Sequence, residues 1–371
     1  MTDGQLLFAV FTAFYLLECV RWLPVAAQVF RSWTSRRGWS LLQPLPYLAG
    51  RGVGPAITWP LPPLGGFMVT QSWPILPDEE GLCVAPGQLQ RGRKVRWADV
   101  NLSKEKEMVR LSADVTVRCV SPRAAKALVK FIASVQSAKP DERQPLIDEF
   151  WLRSLSPPAA RAAVRKYALA ASVLRWPCIC LFMLCFGWLP YVFWWFSGDA
   201  LRLGSAMVAV LVLDVVVAWT WRRLDQRIFG DAISRWTQVL HLIVMPAHAI
   251  RALDLIGLDA VAPFHSGVVA SVLLPESKAR AVASAEWRNW KYRQASMLGP
   301  EVVAQVLVRL EACFRRLGYQ VDELDAPPTQ EYGSKRYCQC CHEQFVIDDA
   351  RCQPCGDLET RAWPAMDSSA G

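Results

Sequence analysis

Residues 176–198 read WPCICLFMLCFGWLPYVFWWFSG, 23 positions with no charge between Arg175 and Asp199. Roughly 20 apolar helical residues cross a hydrocarbon core, so this run predicts a membrane-spanning helix. Trp176, Trp188, Trp194 and Trp195 lie mostly near its ends, where amphipathic rings meet lipid headgroups. Pro190 predicts a kink. A second run, residues 203–221, follows closely and is interrupted once, by Asp214, so the two form a helical hairpin. The chain also opens on an apolar stretch, residues 6–17, after which Glu18 and Arg21 intrude before residues 23–30 resume. A cleaved leader would begin with basic residues, whereas Asp3 is the charge found there, so residues 1–30 are expected to be a third, anchoring helix.

The basic residues give these spans a direction. Residues 1–20 hold no Lys or Arg, and Arg21, Arg31, Arg36 and Arg37 follow the first run. Arg153, Arg161, Arg165, Lys166 and Arg175 precede the hairpin, while Arg222, Arg223 and Arg227 follow it. Positively charged flanks stay on the cytoplasmic side. The expectation is a multi-pass inner-membrane protein of bacterial type, N-terminus out and C-terminus cytoplasmic. Much of the net charge of +8 is therefore topological and says little for nucleic acid.

Between the spans, residues 40–77 are loop-like, with eight prolines, and PLPP at 60–63 is read as a rigid connection. Gly50, Gly52 and Gly54 lack the strand and helix of a phosphate loop. Strand texture follows in GFMVT, GLCVA, KVRWADV and DVTVRCV, the last alternating Val115, Val117 and Cys119 with Thr116, Arg118 and Val120 as a half-buried strand does. Ser121-Pro122 and Ser156-Pro157 read as N-caps with proline in the first turn. Residues 31–156 are thus a cytosolic α+β domain with a Pro-rich start, and residues 157–222 are an amphipathic helix leading into the hairpin.

Residues 223–318 are expected to be cytosolic or interfacial amphipathic helices. Within them 236–256 is apolar but broken by His241, His248, Arg251 and Asp254, too charged for a fourth span. Pro300 starts a further helix whose face carries Val302, Val303, Val306, Leu307, Leu310, Phe314 and Leu317, and Gly318 stops it. Residues 319–334 read as an acidic linker and residues 359–371 as a disordered tail.

Five of the twelve cysteines fall in residues 337–356, YCQCCHEQFVIDDARCQPCG. Cys338/Cys341 and Cys352/Cys355 are two C-x-x-C pairs separated by ten residues. Each pair suits a tight turn presenting two thiolates to one ion, and four thiolates in a tetrahedron suit zinc. Gly356 after the second pair permits the positive φ such a turn needs. This segment, module 335–358, resembles a zinc ribbon; the resemblance implies structural zinc and no activity by itself. Cys340 and His342 are alternative ligands, and an iron–sulfur site is a further alternative. A disulfide-bonded tail conflicts with the reducing side on which the charges place it. Zinc supplies roughly 10–16 kcal/mol to comparable peptides, so folding here would rest on the metal. The other cysteines, Cys178, Cys180 and Cys185 among them, read as small packing residues.

Within the spans, Glu18, Arg21 and Asp214 form a candidate intramembrane charge cluster. A central Asp costs about 2.5–3.5 kcal/mol on insertion scales, so Asp214 is expected to face protein and to pair with Arg21. No hydrolase, kinase or metalloprotease motif occurs. His265-Ser266 has no acid beside it in sequence, and His241 and His248 have Pro246 between them. The fold class is α+β: a helical membrane protein of about three spans, a small cytosolic α+β domain and a C-terminal ribbon. The function expected is tethering or scaffolding, with the lipid bilayer and a cytosolic protein as partners and Zn as cofactor. The alternatives are a transporter subunit using Asp214 and a regulator touching nucleic acid. The last is disfavoured, because residues 335–371 oppose Lys335, Arg336, Arg351 and Arg361 with six acids.

Overall fold

Helix α1 (Asp3–Glu18) has 16 residues, fewer than the roughly 20 a span requires. The computed structural model describes residues 3–18, 21–23, 27–31, 56–58, 67–71, 75–84, 93–196, 200–230, 236–348 and 350–363, and after α1 it has strands at 21–23 and 27–31. β1 (Arg21–Leu23) pairs antiparallel with β3 (Ala56–Thr58), and β2 (Ala27–Arg31) with β4 (Phe67–Gln71). Within the expected anchor segment, valine and phenylalanine in AQVFR suit a strand once a distant segment supplies its hydrogen bonds. The PLPP segment lies outside the described residues.

Two small antiparallel sheets follow. β5 (Ile75–Pro77), β6 (Gly81–Val84) and β7 (Arg93–Arg96) pair in that order. β8 (Ser103–Glu105), β9 (Met108–Arg110) and β10 (Thr116–Arg118) form the second. Val115, Val117 and Cys119 are buried and Arg118 exposed as the alternation predicts, whereas Thr116 is half-buried and Val120, expected on the same face as Arg118, is buried. Ser121 Oγ accepts from Ala124 N–H at 3.0 Å and opens α2 (Pro122–Ser137). That helix buries Ala125, Leu128, Ile132 and Val135, one helical face, and packs on the second sheet. α3 (Pro140–Ser154) completes the unit.

Ser156 caps α4 (Pro157–Met183), whose 27 residues extend roughly 40 Å at 1.5 Å each. A π-helical turn at 184–188 follows, with Leu189 N–H reaching Leu184 O, and α5 (Leu189–Trp195) continues it. The extra residue in this turn sits immediately before Pro190, which has no N–H to offer the helical ladder. α6 (Ala200–Phe229) returns alongside. The α4–α5 rod of 39 residues and α6 of 30 are the two helices, among the described residues, long and apolar enough to cross a membrane. Sequence reading expected three. Their outward faces are apolar, with Trp176, Met183, Trp195, Met207, Leu211 and Val215 all exposed. Their inward faces bury Ala170, Ala171 and Cys178 of α4 and Val217 and Ala218 of α6, mostly small residues that permit close helix packing.

The apolar segment after α6 doubles back on itself. α7 (Trp236–Val244) starts where Arg222 of α6 stacks on Trp236 at 3.5 Å and runs against α6. At Met245-Pro246 the chain reverses into α8 (Pro246–Ile250), with Pro246 and Ala247 beside Val210 and Cys185. α9 (Ala252–Val261) then runs back along α4. It ends near Arg123 of α2, which pairs with Asp259 at 3.6 Å and with Asp225 of α6 at 3.2 Å. His265 N–H donates to Ser154 O at 3.0 Å, so the chain has returned to the α3 end.

α10 (Ser266–Leu273) and α11 (Glu276–Arg288) lead into a second π-helical turn at 289–294, then α12 (Ala295–Leu298) and α13 (Pro300–Arg316). α13 buries Val303, Val306, Leu310 and Phe314 as its spacing predicted, and Gly318 stops it at φ +84. Residues 319–325 of the expected acidic linker pack against the helices, while most of 326–334 is exposed. Tyr319 and Leu324 are buried, α14 (Val321–Leu324) lies on α11, and Glu323 and Asp325 pair with Arg280 and Lys291. Two apolar anchors and two answered acids are what a composition reading misses.

Candidate metal centre

The C-terminal module is built on β11 (Arg336–Tyr337), which pairs with β12 (Gln344–Phe345). β13 (Arg351–Cys352) pairs with β14 (Leu358–Glu359), and β15 (Arg361–Ala362) returns to the free edge of β11. The module therefore reaches Trp363, past the expected boundary at 358, and the tail expected from 359 contributes a strand. Thr360 Oγ1 donates to Ala350 O at 2.6 Å and accepts from Arg336 Nε at 2.9 Å. Trp363 stacks near Tyr337, centroids 4.5 Å apart, and donates to Ser334 Oγ at 2.9 Å.

Each cysteine pair sits in a tight turn. Cys338 N–H donates to Glu343 O at 2.9 Å and His342 N–H to Cys338 O at 2.8 Å, with His342 at φ +63. Gly356, at φ +86, closes the second turn by donating to Gln353 O at 3.0 Å. The left-handed conformation expected there is the one adopted. The sulfurs of Cys338, Cys341, Cys352 and Cys355 all lie within 4.8 Å of one another. Cys341 and Cys352 sulfurs are 3.5 Å apart, near the ~3.8 Å edge of a tetrahedron with ~2.3 Å metal–sulfur bonds and far beyond a disulfide. Cys338, Cys352 and Cys355 are buried and Cys341 half-buried.

Such crowding perturbs the thiols. Hydrogen bonds from Cys341 and then Cys355 pull Cys338 well below the ordinary thiol range, while the same contact from Cys338 drives Cys355 upward. Three buried and one half-buried cysteine sulfurs sharing so small a volume fit a cation that accepts all four as thiolates, and hard cations that require oxygen do not match this donor set. Cys340 and His342 stand outside the set. Cys340 is buried near Arg288 and Arg293, and the His342 ring lies edge-on to Tyr337 at 6.4 Å.

Sequence reasoning missed how the module is held. Arg288, at the end of α11 and 8% exposed, donates from Nε to Cys340 O at 3.2 Å. Its Nη1 donates to Leu324 O at 3.2 Å and to Ser284 Oγ at 2.5 Å. Tyr292 of the second π-helical turn packs against the cysteine cluster and donates to Asp325 at 3.0 Å. One arginine thus clasps α11, α14 and the first cysteine turn, and no motif announces it.

Elsewhere the structure sorts the remaining candidates. Asp214 is 1% exposed, and its Oδ1 has no hydrogen-bond partner among the described residues. Arg21, the partner expected for it, follows the end of α1 in β1, and the side chains of Glu18 and Arg21 lie outside the described residues. His265-Ser266 does gain an acid from 20 residues away: Ser266 Oγ donates to Glu286 Oε1 at 2.9 Å, and His265 Nε2 is 3.8 Å from Glu286 Oε2. All three are buried and the serine points at the acid, not the imidazole, so this is a structural knot and not a nucleophile–base pair. His241 and His248 stack with centroids 4.4 Å apart.

The fold and site define a mostly helical chain with small antiparallel sheets, two helices long and apolar enough for a bilayer, and a four-cysteine cluster suited to a metal ion. Compared with protein-family models, curated proteins and solved structures, the chain has no match.

Proposed function

We propose that this protein is an integral membrane scaffold whose α4–α5 rod and α6 span the bilayer and whose zinc ribbon, on the cytoplasmic side, recruits a protein partner. The positive flanks support the orientation. Cys338, Cys341, Cys352 and Cys355 would hold zinc, which supplies the folding energy of the module and no reaction. The carrying observation is in the connection from β12 to β13: Val346 and Ile347 are 66% and 61% exposed there, while Arg288 holds the first cysteine turn of the ribbon to α11. Tyr332, nearby in sequence, is fully exposed. Two adjacent exposed apolar side chains on a module held to the helices suit docking better than solvation.

The test is affinity purification of the full chain from membranes in mild detergent, comparing it with Val346→Asp/Ile347→Asp. A protein held by the native chain and lost from that double variant, with metal content unchanged, supports recruitment. An identical protein list from both refutes it. Asp214 favours a second reading, an ion or proton relay, because buried intramembrane acids often mark such paths. Loss of flux in Asp214→Asn would favour the relay over the scaffold.

A further inference from the structure

The reversal at Met245-Pro246 borders a cavity of about 290 Å³. Its walls come from four separate parts of the chain: Phe8 and Phe11 of α1, Cys185 and Phe186 of the π-helical turn, Met207 and Val210 of α6, and Ala247 and Ile250 of α8. Thr12 is the one hydroxyl in the lining, and it donates to Phe8 O at 2.9 Å inside its own helix. The backbone at the reversal is also answered internally. Met245 N–H donates to His241 O at 3.0 Å, and His248 and Ala249 N–H donate to Met245 O at 2.9 and 3.2 Å. Pro246 has no N–H to satisfy. A chain reversal at membrane depth is tolerated where its polar groups are met by protein, and here they are.

Such a cavity gives water nothing to bond to, so it would stay dry, and an empty one would forfeit contacts along every wall. Its rim faces hydrocarbon. Phe11 and Met207, on either side, are 54% and 60% exposed on the apolar surface of the rod and hairpin. We propose that the cavity is a binding site for one hydrocarbon chain of a bilayer lipid, entered sideways between α1 and α6 and closed from below by the Met245-Pro246 reversal. The proposal rests on the reading of α4–α5 and α6 as membrane spans. It adds a bound lipid to the scaffold and explains why a short α1 is retained against α8 and, through Phe8 stacked on Phe193 at 4.1 Å, against α5.

The experiment uses the full chain in native-lipid nanodiscs doped with a phosphatidylcholine carrying a photoreactive diazirine in its acyl chain. Adducts are mapped by peptide mass spectrometry for the native chain, for Val210→Trp, which fills the cavity, and for Leu211→Trp, one residue along on the exposed face. The expected result is labelling of Cys185, Val210 and the buried Ala247. A tryptophan at position 210 takes up the space the chain would occupy, so Val210→Trp should remove most of that labelling and Leu211→Trp should leave it unchanged. Labelling confined to exposed Leu211, Val215 and Trp219 overturns the proposal. So does cavity labelling that survives in folded Val210→Trp. Should that variant fail to fold, the native map decides, because lipids merely surrounding the protein do not reach Ala247, which is 3% exposed. Carbonate extraction of the same membranes tests the spanning reading separately: a chain released by carbonate refutes that reading, whereas a retained chain without cavity adducts refutes only the lipid site.

Discussion

Replacing Arg288 with Met keeps most of the side chain's length and apolar stem while deleting the guanidinium that joins three elements. Three hydrogen bonds are lost, to Cys340 O, Leu324 O and Ser284 Oγ, and two carbonyls are left facing a buried gap. A bond from a charged donor contributes about 1.5–3 kcal/mol, but the three share one side chain and water can reach part of the gap, so about 2–4 kcal/mol is expected for the clasp. That corresponds to roughly 30- to 1000-fold faster opening-limited exchange at the seam. The amides to follow are Leu324 and Asp325, which donate to Gln320 O and Val321 O at 3.2 Å in the short α14. Amides in α2 serve as the reference and should not change. Arg288→Lys should fall between, because an ammonium cannot serve three acceptors held in a fork. If the seam amides of Arg288→Met exchange within about threefold of the native chain, the clasp contributes under ~1 kcal/mol and the account of how the ribbon is mounted is wrong.

Removing zinc with a strong chelator should unfold residues 335–363 while leaving the buried face of α13 protected, and hydrogen exchange of the two regions in one sample checks it. His265 is buried, and burial alone pushes its imidazole from 6.5 down to about 3, so the folded chain excludes a proton the unfolded chain accepts. The stability this provides is complete above about pH 6.5 and falls as pH drops toward 3, by up to ~1.4 kcal/mol per unit. Denaturant titrations from pH 7 to 4 should show a shallower decline in His265→Phe than in the native chain. Asp214→Leu should raise the melting temperature in detergent, because an unanswered buried acid is exchanged for apolar volume. A fall of several degrees would mean that Asp214 has a stabilising partner.

What the sequence disclosed was mostly local. Ser121 and Ser156 each cap the helix expected of them, since Ser-Pro at a helix start needs only its own next turn. The two long apolar runs are long helices, and Gly356 takes the left-handed turn because no other residue does so as cheaply. The four sulfurs meet where C-x-x-C spacing brought them. What stayed hidden depended on distant partners. Residues 27–31 are apolar enough to continue a helix and become a strand because residues 67–71 lie beside them. Nothing local tells residues 236–261 to climb beside α6 and return along α4; Pro246 marks the reversal but not its depth. The clasp by Arg288 joins positions 36 and 52 residues apart, and a lone arginine at a helix end carries no signature of that task.

The most direct measurement is the metal content of the full chain, purified from membranes in mild detergent without chelator and read by elemental analysis against protein concentration. The account predicts one zinc per chain, bound by Cys338, Cys341, Cys352 and Cys355 and absent from Cys352→Ser/Cys355→Ser, with Cys340→Ser and His342→Ala retaining it. Iron with visible absorbance in place of zinc, or zinc retained by the double variant, would contradict the four-thiolate ribbon on which the scaffold reading depends.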